Sequence, residues 1–196
     1  MEHTVKKADA IELCKKIAND YDGWEYISGN FRNKKLKHTD ILLSLGLSVS
    51  AGAGLIQPST RALNKKIKLL EKKITNEKPL NFTSLIRHAN FEENYDFHSG
   101  RFYTLEDGKA EKVIRHALDV SNEILEKYYN YTDEREFLEK LPVAVDGTFG
   151  IQYCLVRAYL GDLDYVRDYK LEKIESIRPK RHADIDKIID YFDIAM

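Results

Sequence analysis

A chain of 196 residues that is 43% hydrophobic holds enough apolar material for one ordinary core, so a single domain over 1–196 is expected. Its charged residues, 32% of the chain, nearly cancel to a net charge of −1, and with 12 Tyr and 8 Phe the composition excludes a long disordered chain. A pI near 6.6 argues against a dedicated nucleic-acid binder.

The first predicted element is a helix. Ala10, Cys14, Ile17, Ala18 and Tyr21 recur at helical spacing, and Gly23 terminates it. Trp24, Tyr26 and Phe31 then suggest a strand with a turn at Gly29-Asn30, followed by the basic stretch "RNKKLKH". "ILLSLGLSVSAG" reads as the clearest strand in the chain. Leu43, Leu45, Leu47 and Val49 fall on one side, with Ser44, Gly46, Ser48 and Ser50 on the other.

The stretch "AGAGLIQPS" reads as a flexible connection. Gly52 and Gly54 follow a strand, but no Lys-Ser/Thr comes after them as a phosphate loop requires, and Gln57 stands where a dinucleotide fingerprint needs glycine. Residues 61–75 fit two patterns. Leu63, Ile67, Leu70 and Ile74 form a helical stripe, Leu63, Lys65, Ile67 and Leu69 alternate as in a strand, and the Leu, Lys and Glu content favours helix.

"YDFHSGRFYTL" suggests a hairpin turning at Ser99-Gly100 and pairing Tyr95 and Phe97 with Phe102 and Tyr103. A long helix follows, with Ala110, Val113, Ile114, Ala117, Leu118, Ile124, Leu125 and Tyr128 as its apolar stripe. Asp133 and Glu136 have capping-box spacing before a short helix ended by Pro142. Thr148 can cap the next helix, whose inner face is Ile151, Cys154, Leu155, Ala158 and Tyr159. Gly161 closes it and Asp162 starts another, so "AYLGDLDYV" predicts a tight turn between antiparallel helices. Pro179 precedes a final helix with Ile185, Ile188, Ile189 and Phe192 inside. The plan is α+β and helix-predominant: an N-terminal helix, a small antiparallel sheet and a helical C-terminal half.

No catalytic constellation, metal set or cofactor is expected. Cys14 and Cys154 lie among apolar residues and read as buried hydrophobes, and the histidines form no His-Glu-x-x-His pair. His38-Thr39-Asp40 is a lone triplet, and no Gly-x-Ser-x-Gly nucleophile turn is present. The N-terminus lacks an apolar run of signal-peptide length and no stretch approaches a membrane span, so a soluble cytoplasmic protein is expected.

Two features point to a protein partner. Residues 1–80 carry net +6 and residues 81–196 net −7, and an acidic half speeds encounter with a basic partner. "EKYYNYTDEREF" groups Tyr128, Tyr129 and Tyr131 with Asp133 and Glu134, and Asp162, Asp164 and Asp168 follow on a later helix. Tyrosine beside carboxylates offers large contact area at low entropy cost.

Taken in order, "GWEYISGNF", the alternating strand, "RFYTLEDGKAEKVI" and "YCLVRAYLGDLD" resemble the layout of small bacterial immunity proteins of polymorphic toxin systems, over most of the chain. The resemblance implies one catalytically inert domain, acidic on its toxin-facing side, that neutralises a toxin by direct binding. Two alternatives accompany it: a hydrolase or nuclease with a dispersed site using His38, Asp40 and remote carboxylates, and a regulatory scaffold module using the helical half.

Overall fold

The computed structural model describes residues 6–50, 53–76, 83–86, 103–104, 108–141, 150–174 and 182–195. The elements, in chain order, are α1 (Lys7–Ala18), β1 (Trp24–Ile27), β2 (Asn30–Asn33), β3 (Thr39–Ser44), β4 (Ser48–Ser50), β5 (Ala53–Ile56), β6 (Ser59–Asn64), α2 (Lys65–Thr75), β7 (Thr83–Ile86), β8 (Tyr103–Thr104), α3 (Ala110–Tyr129), α4 (Glu134–Glu139), α5 (Gly150–Tyr159), α6 (Leu163–Lys170) and α7 (His182–Ala195). The architecture is α+β with helix predominating: an N-terminal helix, antiparallel strands, then helices.

Helix α1 buries Ala10, Cys14, Ile17 and Ala18. Gly23, at φ +77°, turns the chain into β1. The β1–β2 turn is Ser28-Gly29, both at positive φ, one residue earlier than the expected Gly29-Asn30. A two-residue hairpin of this type needs positive φ at both central positions. Asn30 instead opens β2 and donates through Nδ2 to the Ser28 carbonyl, at 3.0 Å.

The five-stranded sheet runs β1-β2-β3-β6-β7, and a second sheet runs β4-β5-β8. In β3 the predicted alternation holds, with Ile41 and Leu43 buried and Leu42 and Ser44 half-buried. The run does not continue as one strand. At Gly46, φ +57°, the chain breaks away, the Gln57 amide closes onto the Leu45 carbonyl at 2.7 Å, and β4 joins the other sheet. A Cβ at Gly46 would meet the Gln57 carbonyl oxygen at 3.0 Å, whereas one at Gly29 (φ +79°) would meet nothing. Gly46→Ala is therefore expected to lower stability by about 2–3 kcal/mol, and Gly29→Ala by about 1 kcal/mol, in urea titrations. Equal costs would contradict the close approach of Gln57.

The stretch read as a flexible connection is in part a second hairpin. Ser48 faces Leu55, Val49 faces Gly54 and Ser50 faces Ala53, with residues 51–52 outside the described set. Because β5 leads into another strand, Gly54 is not placed at a helix N-terminus as a phosphate loop would require. The ambiguous residues 61–75 are both strand and helix. Leu63 pairs with Asp40 in the sheet, and Asn64 then caps α2, its side chain accepting from the Lys66 and Ile67 amides at 2.9 and 3.0 Å. The expected hairpin at Ser99-Gly100 lies outside the described residues, except that Tyr103 pairs with Ile56 in β8.

Of its predicted stripe, α3 buries Ala110, Val113, Ile114, Ala117, Leu118 and Leu125, while Ile124 is only half-buried. Ser121, a polar residue outside that stripe, is also buried and shares a 2.9 Å hydrogen bond with Thr60 of β6, which ties the helix to the sheet. The stripe ends on Tyr129 rather than Tyr128. Tyr129 packs on Phe137 at 5.8 Å between ring centroids, while Tyr128 is 55% exposed. Asp133 caps α4 through the Glu136 amide (2.8 Å), and Asp162 caps α6 through the Tyr165 amide (3.1 Å). Gly161, at φ +92°, makes the predicted tight turn between α5 and α6. The proposed stops and caps at Pro142, Thr148 and Pro179 lie outside the described residues. One contiguous set of buried apolar side chains runs from Ala10 of α1 through Phe31, Leu43 and Leu118 to Ile188 of α7. Among the described residues no helix is long and apolar enough to cross a membrane.

Candidate functional site

The sequence singled out eight residues, and the structure divides them by role. Tyr129 and Tyr131 are core residues, not surface contacts, at 8% and 4% exposure. Burial raises both phenols above the ordinary tyrosine range, and the Tyr131 hydroxyl is held 3.3 Å from Glu126. A tyrosine at a helix end packs inward when the next element crosses it, as α4 does here through Phe137.

Glu134 is likewise structural. Its Oε1 accepts from the His38 amide and the Thr39 hydroxyl, each at 2.8 Å, fastening the start of α4 to the start of β3. Thr39 in turn accepts from Asn64 Nδ2 at 2.8 Å, so one carboxylate joins α4, β3 and the β6–α2 junction. Asp133 and Asp162 are spent on helix caps, and Asp162 also stands 3.8 Å from Arg157. Arg135 donates to the Leu160 carbonyl at 3.4 Å, which sets the start of α4 beside the α5–α6 turn.

Tyr128, Asp164 and Asp168 remain available to a partner. Asp164 pairs with Arg167 at 2.9 Å yet its side chain is 92% exposed, and Asp168 pairs with Lys173 at 2.7 Å. Sequence reading missed the rest of this surface. Asp186, Asp190 and Asp193 fall at i, i+4 and i+7 on one face of α7, which lies antiparallel to α6. Lys170 pairs with Asp186, and Arg167 bridges Asp164 to Asp193 at 2.7 Å, so the two helices present their carboxylates together. Asp190 has no cation partner among the described residues, and Ile194, 87% exposed, borders the acids. The spacing of the three aspartates was the available signal.

Among the described residues, His38 and Asp40 are not joined by further His or carboxylate side chains into a metal-holding group. Asp40 is held by Lys65 at 3.1 Å, and the described contact of His38 is through its backbone. Among the described residues no group of three His, Cys, Asp or Glu could hold a metal ion. An open cleft of about 540 Å³ lies along α3, lined by Gly108, Glu111, Lys112, Arg115, His116 and Asp119. Most of its charges are engaged: Arg115 pairs with Asp20 and Glu111 at 2.6 and 2.8 Å, and Asp119 accepts from Tyr21 at 2.7 Å. Burial, aided by Asp119, pushes the Tyr21 phenol up to about 12.

Both cysteines are buried and free, and burial pushes each thiol up to about 12. At neutral pH both are protonated, so neither is a nucleophile. In the native protein both should resist a disulfide reagent, and both should react at once in denaturant. Rapid labelling of the folded chain would contradict their burial. No family model matches the chain, and no curated protein and no solved structure matches it.

Proposed function

We propose that this chain is a non-enzymatic protein-binding protein, an immunity protein that neutralises a basic bacterial toxin in the cytoplasm by direct binding. The observation that carries the reading is the α6–α7 surface: Asp164, Asp168, Asp186, Asp190 and Asp193 beside the exposed Ile194. Exposed ion pairs contribute only about 0–1 kcal/mol, so the lysines and arginine now pairing with these carboxylates are readily replaced by cations of a partner. Ile194 supplies apolar area that can be desolvated at the contact, while the surrounding carboxylates set partner choice and encounter rate.

The test uses the protein captured from the native host by the wild-type chain. Expressed alone, that partner is expected to arrest growth, and co-expression of the wild-type chain should restore it. Rescue should fail or weaken with Asp164→Asn/Asp190→Asn/Asp193→Asn, whose fold should be intact because exposed changes cost about 0.5 kcal/mol or less. A captured partner without toxicity, or full rescue by the triple variant, would contradict the reading.

A further inference from the structure

The basic excess of the N-terminal half is concentrated on α2, and it surrounds an apolar residue. Leu69 is 69% exposed near the middle of this helix. Its neighbours on the helix surface, three and four residues away in both directions, are Lys65, Lys66, Lys72 and Lys73, all exposed. The helix carries one acid, Glu71, and it is buried at 2% exposure. Lys65 pairs with Asp40, but Lys66, Lys72 and Lys73 have no carboxylate partner among the described residues. The α6–α7 surface differs, since most of its cations are paired.

Two tyrosines extend this surface. Lys66 reaches the Tyr159 hydroxyl of α5 and Lys73 the Tyr191 hydroxyl of α7, each at 3.2 Å. The ammonium groups also lie 5.8 and 4.8 Å from the respective ring centroids. The result is an apolar centre with a rim of lysine and lysine-held tyrosine, built from three packed helices.

We propose that this face of α2 is a docking surface for an acidic amphipathic helix of a partner protein. Such a helix, with an apolar residue whose i±3 and i±4 neighbours are carboxylates, is complementary in both charge and spacing to Leu69 and its lysines. A nucleic acid fits less well. Leu69 occupies the centre of the field, where a phosphate would lose hydration against an apolar side chain, and α2 has no arginine to hold phosphate bidentately. The surface adjoins the α6–α7 carboxylates at Tyr191 but does not depend on their role.

The test measures binding of a labelled helical peptide of about 20 residues, carrying one leucine flanked by glutamates at i±3 and i±4, by fluorescence anisotropy. Binding should weaken markedly between about 50 and 300 mM salt. Leu69→Ser should weaken it by at least about fivefold, as expected for a central apolar anchor. Lys66→Gln/Lys73→Gln should weaken it and flatten the salt dependence, while Asp164→Asn/Asp190→Asn/Asp193→Asn should not weaken it. The overturning results are no peptide binding by the wild-type chain, equal binding by Leu69→Ser, or equal or tighter binding of duplex DNA of similar length.

Discussion

Leu45→Asp is expected to abolish cooperative folding. Leu45 is 0% exposed at the junction where β3 ends and the chain crosses to the second sheet. A carboxylate there would either lose its hydration or pull the junction open. The cost of an unpaired buried charge, at least about 4 kcal/mol, is a large share of the roughly 5–15 kcal/mol that holds a domain together. Leu47→Asp is the control: Leu47 is only half-buried beyond Gly46, and its variant should remain folded with a smaller loss. Circular dichroism and urea titration distinguish the two. A cooperatively folded Leu45→Asp protein would contradict the placement of Leu45 in the core.

The second large effect is expected at Glu134. Its carboxylate satisfies the His38 amide and the hydroxyl of Thr39, a residue only 1% exposed. Hydrogen bonds to a charged group contribute about 1.5–3 kcal/mol, and truncation also leaves the Thr39 hydroxyl without its acceptor. Glu134→Ala should therefore lose about 2–4 kcal/mol in urea titration, and Glu134→Gln should recover part of it, because its amide oxygen can accept the same two bonds. A wild-type midpoint for Glu134→Ala would show that α4 is held by Phe137 and Leu138 alone.

The parts of the fold that were legible in the sequence are those governed by local periodicity. The Ile41–Leu43 alternation, the long stripe of α3 and the caps at Asp133 and Asp162 each follow from spacing and nearby backbone groups. What periodicity does not carry is a change of partner. "ILLSLGLSVS" alternates without interruption, yet its two ends belong to different sheets, because one glycine at positive φ redirects the backbone without disturbing the pattern. Residues 61–75 satisfied two periods because the chain uses both, with Asn64 as the changeover.

The candidate site was legible in part for a related reason. Composition showed tyrosines and acids together but not which would be consumed by packing. Tyr129, Tyr131 and Glu134 are engaged by Phe137, Glu126 and the start of β3, elements distant or offset in sequence. Asp164 and Asp168 were named from the sequence and are exposed or half-exposed, while their neighbours on α7 were not named, because the α6–α7 packing that gathers these carboxylates is a tertiary event.

We propose that the α6–α7 carboxylates attract a basic toxin. The most direct test is the association rate of the captured partner with the wild-type chain and with Asp164→Asn/Asp190→Asn/Asp193→Asn, at low and high salt. Long-range attraction acts on encounter, so the triple variant should associate about tenfold more slowly at low salt, with a flatter salt dependence and a smaller change in dissociation. Equal association rates and equal salt slopes for the two proteins would contradict it.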